Sequence, residues 1–110
     1  TVDDDSMLWV ALGRQGEVRR YTPEGKLDGY VTLPTGNPTS VAFGSADGGD
    51  LYITTSWFDC DEHRRASEPL AGALFRCRPG VTGRPSARLS GFPARSARDF
   101  RALPEKERTP

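Results

Sequence analysis

The densest run of chemically capable side chains in the sequence is Asp59-Cys60-Asp61-Glu62-His63. Carboxylates, a thiol and an imidazole are the donor types of a metal centre, so their spacing must decide whether they can act as one. A calcium loop opening at Asp59 needs glycine at its sixth position and glutamate at its twelfth, where Arg64 and Leu70 stand. A zinc site needs spaced cysteine and histidine partners, yet Cys77 lies 17 residues from Cys60 and His63 is the sole histidine. Arg64 and Arg65 follow directly and repel a cation. The run reads as a solvated loop, and no metal ligand is assigned.

Nucleophilic and phosphate chemistry fare no better. There is no Gly-x-Ser-x-Gly elbow to present a serine, and His63 sits in a polar stretch. Gly25-Lys26 has Arg20 where a phosphate loop needs its first glycine, and Leu27 where it needs a hydroxyl. No catalytic residue is therefore assigned.

Composition narrows the classes further. The 110 residues carry 15 Lys+Arg against 15 Asp+Glu, are 35% hydrophobic and have a mean hydropathy of −0.58. No stretch approaches the ~18 apolar residues of a membrane span, and no charged-then-apolar leader is visible. The expectation is a cytoplasmic protein with no membrane contact and with Cys60 and Cys77 as reduced thiols. The neutral total hides a division, since residues 1–62 sum to −7 and residues 63–110 to +7. Residues 64–108 are Arg-rich, but Phe75, Phe92 and Phe100 are their only aromatics, which is too few for a stacking platform, so no nucleic acid is expected.

The elements that must position any site are strands. Apolar residues alternate with polar ones at 7–11, 18–21, 29–33, 39–43, 51–55, 73–77 and, weakly, 87–89, with Gly and Pro between. Thr22-Pro23-Glu24-Gly25 has the composition of a tight turn. The chain also repeats itself. Residues 3–11 lie over 45–55 at an offset of 43, and residues 16–25 over 72–80 at an offset of 56. The difference of 13 is an insertion in the second copy, polar enough to hold a helical turn. A four-strand unit of roughly 40–50 residues is the period of a propeller blade. The expected fold is therefore all-β: a β-propeller fragment of about two four-stranded antiparallel blades. Residues 1–37 form a blade with a truncated inner strand, and residues 38–92 form a second blade with the insertion at 57–70. Residues 93–110 form a flexible basic tail. Trp9, Tyr21, Phe43, Tyr52 and Phe75 occupy strand positions suited to packing between blades.

Three segments, LWVALGRQGEVRRYTPEGKL (8–27), LPTGNPTSVAFGSADGGDLYITTSW (33–57) and EPLAGALFRCRPGVTGRP (68–85), carry a resemblance. They are similar to the C-terminal part of the gluconolactonase/regucalcin (senescence marker protein) family. That resemblance implies a six-bladed propeller hydrolysing sugar lactones with a divalent metal (calcium, or zinc, iron or manganese) in its central channel. There the cation polarises the lactone carbonyl and holds a water or hydroxide, and a carboxylate assists proton transfer. It also implies that the ligands, a Glu, an Asn and the Asp of a Pro-Asp-Gly motif, open inner strands of blades upstream of Thr1. Asp3, Asp4 and Asp5 match a turn instead. The repeat places Pro38-Thr39-Ser40 where that motif would open the next blade, so Thr39 and Ser40 are the expected channel-lining, substrate-side residues.

Two functional classes follow as expectations. In the first, the chain is the C-terminal part of a metal-dependent sugar-lactone hydrolase, inactive alone, with a small sugar lactone as partner of the whole. In the second, it is a non-catalytic propeller binding or sensor module, completed by self-association or by a partner chain.

Overall fold

The structure is a computed structural model that describes residues 1–58, 60–87 and 90–91. Its elements run β1 (Leu8–Leu12), β2 (Glu17–Tyr21), β3 (Leu27–Thr32), β4 (Pro38–Gly44), β5 (Asp50–Thr55), α1 (Glu62–Ser67) and β6 (Leu74–Cys77). The strands form two antiparallel three-stranded sheets in simple chain order, β1-β2-β3 and β4-β5-β6. Among the described residues each sheet thus has three strands rather than the four expected of a blade, a meander consistent with a propeller fragment. The expected strand at 87–89 is not formed at Ala87, and its other two residues, like the 93–110 tail, lie outside the described residues.

Register confirms the repeat at residue level. Trp9 pairs with Arg20 across β1 and β2, and Tyr52 pairs with Arg76 across β5 and β6. The first pair is joined by a short turn and the second by the segment carrying α1, which is where the offset grows.

The two sheets pack face to face, and period-two alternation decides which residues meet. From the first sheet come Trp9, Val18 and, partly buried, Val31. The second sheet contributes Leu51 and Ile53 from β5, Val41 and Phe43 from β4, and Phe75 and Cys77 from β6. Val18 and Leu51 are fully buried, and Trp9 meets Phe43 edge-on with centroids 5.8 Å apart and planes at 82°. Full burial of each such aliphatic side chain contributes about 1.5–3 kcal/mol. Tyr21 and Tyr52 lie outside this core. Each neighbours a residue on the inner face, Arg20 (paired with Trp9) and Leu51 respectively, so the pleat turns each to the outer side of its sheet.

The acidic N-terminal turn holds a second surprise. Asp3 is completely buried. One carboxylate oxygen accepts the Trp9 indole N–H and the Arg20 Nε–H, both at 2.8 Å, and the other accepts the backbone N–H groups of Asp5 and Met7, both at 3.0 Å. Burial pushes this carboxyl up, but the Arg20 and Trp9 hydrogen bonds, the Met7 N–H and the Arg20 charge together hold it below its ordinary value. Asp3 is thus a packing residue that ties the turn to the face of the first sheet.

The chain after β6 returns to the first sheet. Asp3 bridges Gly83, Asp4 N–H donates to Thr82 O at 2.9 Å, and Gly83 N–H donates to Gly48 O at 3.0 Å. Gly83 is required by contact rather than by torsion, because a Cβ there would lie inside the Phe43 side chain.

Candidate functional site

Thr39 and Ser40 open β4, the edge strand of the second sheet, and both are exposed. Pro38 before them is fully buried, and the register shifts between Pro38 and Ser40, so Thr39 sits in a bulge that re-aims it. Its hydroxyl lies 2.8 Å from the Thr54 hydroxyl, and Ser40 pairs with Thr54 across the ladder. These are neutral groups. They can donate and accept hydrogen bonds to a polyhydroxylated ligand, but they bring no charge.

Three connections converge on the loop that feeds this strand opening. From the first sheet, Gly16 N–H donates to Gly36 O at 3.1 Å and Leu33 N–H donates to Gly16 O at 2.8 Å. Gly16 makes this approach with φ of 67° and with room for no larger side chain, since a Cβ would stand 3.1 Å from Thr35 O. From the end of β5, Ser56 N–H donates to Asn37 O at 3.0 Å. From the insertion, the Glu68 carboxylate accepts Gly36 N–H at 2.6 Å and Arg64 Nε–H at 2.6 Å. The Arg64 hydrogen bond first, and the Gly36 N–H next, hold the Glu68 carboxyl below its ordinary range.

The described insertion residues, 57–58 and 60–70, are therefore placed at the same end of the sheet as Thr39 and Ser40. A short helix forms there because Asp61 caps it, its side chain accepting Arg64 N–H at 2.8 Å, and the Arg64–Glu68 pair spans one turn. Trp57 and Phe58 lead into it and remain 57% and 74% exposed. The sequence led to a helical turn within this insertion, and α1 forms there; it took residues 59–63 as a solvated loop and did not single out Glu68, Gly36, Trp57 or Phe58. The Asp61-x-x-Arg64-x-x-x-Glu68 spacing was the one signal of its local order.

The sequence-marked acids do not gather with Thr39. Among the described residues, no three His, Cys, Asp or Glu side chains come together in a way that could hold a metal ion. Asp61 is consumed as a helix cap, and Cys60 and Cys77 are free of each other. At the far end of β4 lies a cavity of about 440 Å³ whose lining includes Asp4, Ser45, Asp47, Thr82 and Arg84. Its charged groups already have partners, Asp4 with Thr82 and Arg84 with Ser6 at 2.7 and 2.6 Å, and Asp47 with Arg78. The described residues do not fit a metal, and no step of a metal reaction is assigned to them. Among them, too, no helix is long and apolar enough to cross a membrane.

The SMP-30/Gluconolactonase/LRE-like region matches residues 1–57, and the chain belongs to this family. It is 40% identical over 92 residues to a pentonolactonase of Haloferax volcanii, covering 80% of this chain and 32% of that protein. It is 38% identical over 81 residues to a 6-deoxy-6-sulfogluconolactonase of Pseudomonas putida, covering 74% of this chain and 28% of that one. Among solved structures, a calcium-binding regucalcin of Agrobacterium tumefaciens superposes with a TM-score of 0.73 at 28% identity, over 80% of this chain and 30% of that one. The chain thus spans about a third of the length of these relatives.

Proposed function

We propose that this chain forms two neighbouring blades in the wall of a six-bladed sugar-lactone hydrolase, with Thr39 and Ser40 lining the channel. The observation that carries this reading is the pairing of its faces. The buried interface joins a Trp9/Val18/Arg20 face to a Leu51/Ile53/Cys77 face. By the repeat, the outer side of the second sheet presents the counterpart of the first face as Tyr52, Leu74 and Arg76. The back of the first sheet presents the counterpart of the second as Leu8, Val10 and Tyr21. Both outer sides stand open, with Leu74 65% and Leu8 44% exposed. Two faces that match a buried pair call for further blades on both sides, which is the logic of a closed ring.

The catalytic metal, whether calcium, zinc, iron or manganese, belongs in this reading to blades other than these two. What these residues supply is a rigid wall bearing hydroxyls at a strand opening. The test is hydrolysis of D-glucono-δ-lactone by the purified 110-residue chain with each cation in turn. No rate above the spontaneous one is expected, and metal-dependent turnover by this chain would overturn the assignment of the chemistry to other blades. Light scattering adds a second readout. A discrete three-copy particle would favour the non-catalytic, self-completing module instead.

A further inference from the structure

Trp57 and Phe58 are large apolar side chains set in a polar insertion, at the end of the blade where Thr39 and Ser40 open. They are not a collapsed patch. Arg65 lies over the Trp57 ring, its guanidinium carbon 4.5 Å from the centroid, and Gly72 abuts the indole so closely that a Cβ there would stand 2.7 Å from Trp57 Cδ1. Phe58 is held through its backbone, whose N–H donates to Ser56 Oγ at 2.9 Å. The segment itself is pinned at both ends, by Ser56 N–H on Asn37 O and by Glu68 on Gly36 N–H. Held in place yet more than half exposed, the two rings are available to a ligand. Ser56, Trp57 and Phe58 bound a shallow, open cavity of about 290 Å³, just under the ~300 Å³ lower end of the range for ligand pockets.

We infer that Trp57 and Phe58 form an aromatic platform at the channel mouth that stacks on the apolar face of a six-membered sugar or sugar-lactone ring. The chemistry favours that class of ligand. A pyranose-type ring presents axial C–H bonds on one face, matched to the negative face of an aromatic ring, and hydroxyls around its rim. Here the hydroxyls of Ser56, Thr54, Thr39 and Ser40 lie at the same end of the sheet to meet that rim. The platform thereby selects the shape of the ring while the hydroxyls orient it. This inference rests on the lactone-channel reading above, and its test separates the two.

The experiment is a titration of the full 110-residue chain with 1,5-anhydro-D-glucitol, a ring that cannot hydrolyse, followed by two-dimensional NMR. Saturable shifts are expected at the Trp57 indole N–H and the Phe58 amide, with the buried Trp9 indole unmoved as an internal control. Phe58→Ala, at a position 74% exposed, leaves the fold intact and is expected to weaken binding roughly threefold to tenfold. Trp57→Tyr keeps a ring and is expected to keep most of the affinity. If Thr39, Ser40 and Thr54 shift while Trp57 and Phe58 do not, the platform is refuted and the channel wall stands. If nothing shifts at up to molar sugar, the platform is refuted, and the channel-wall reading stands on its own test above. If the Trp57 signal depends on protein concentration rather than on sugar, a second copy covers the rings and the platform is refuted.

Discussion

Replacing Asp3 by asparagine tests the central structural claim, that an acidic turn residue is a buried organiser of the first sheet. The substitution keeps the shape and removes the charge. Asp3 accepts four hydrogen bonds, two on each oxygen. An amide has only one acceptor atom, so its NH2 must face two N–H donors whichever way it is turned. Arg20, whose side chain is only 14% exposed, also loses its innermost counter-ion. Removing one partner of such a buried pair costs about 3–5 kcal/mol. At a slope of about 1.5 kcal/mol per molar, the urea midpoint falls by about 2 M or more. Trp9 fluorescence reports the transition directly, because its indole N–H is one of the orphaned donors. The pH dependence sharpens the test. The folded carboxyl sits below its ordinary value of 3.8, so Asp3 contributes fully at pH values above that and loses its contribution as pH falls through 3.8 toward the depressed value. The gap between parent and Asp3→Asn must therefore narrow on acidification. A midpoint shift under about 0.5 M, or a gap that does not change between pH 6 and pH 2.5, would refute the reasoning. Asp5→Asn, at a residue 63% exposed that shares Arg20, serves as the control and is expected to cost less than about 1 kcal/mol.

Three further outcomes follow from the geometry. Gly83→Ala forces a methyl into the root of the Phe43 side chain, which cannot swing away, and is expected to cost about 1–3 kcal/mol by thermal melting. Glu68→Gln weakens the hold of the insertion on Gly36, so hydrogen exchange at the Gly36 amide should quicken by about tenfold while the Val18 amide stays protected. Thr39→Val removes the hydroxyl facing Thr54 at an exposed position, leaves the melting temperature within about 2 °C, and lowers anhydroglucitol affinity if the wall reading holds.

Much of this architecture was legible in the residues. Alternation placed six of the strands within one or two positions, and the two offsets located the insertion, because each rests on local periodicity that a strand must obey. The candidate site was legible only as a position, Thr39 and Ser40 by analogy with the other copy. Its surroundings were not. Glu68 acts 32 residues away on a glycine amide, and nothing in the local spacing of either residue announces that contact. The exposed aromatics were hidden by their neighbours, since a window of charged residues makes Trp57 and Phe58 look like loop filler. The sequence placed Asp3 in its turn but gave no sign of its burial, for a related reason. In sequence it is one of three consecutive aspartates, and only the return of β2 shows that Arg20 takes Asp3 into the core and Asp5 at the surface, while Asp4 turns to Thr82.

The same contacts account for the opposed charges of the two halves. An acidic first half and a basic second half invite a search for a charged ligand, yet the structure spends several of those charges on itself. Within the first half, Arg20 engages Asp3, Asp5 and Asp28 at 2.8, 2.9 and 2.7 Å. Across the halves, Arg78 binds Asp47 and reaches Asp50 at 2.8 Å, while Thr82 and Arg84 close on Asp4 and Ser6. Each sheet thus has an arginine, Arg20 next to the end of β2 and Arg78 just beyond β6, that gathers aspartates of the turn leading into β1 or β5, and Arg84 extends the pattern back to the first turn. Charge here fixes how turns sit against strands and how the second sheet's exit segment docks on the first. On the reading proposed above, that leaves a mouth at Thr39, Ser40, Trp57 and Phe58 whose own side chains are hydroxyls and rings, with the Arg65 charge held on the Trp57 face, a surface suited to a neutral sugar ring.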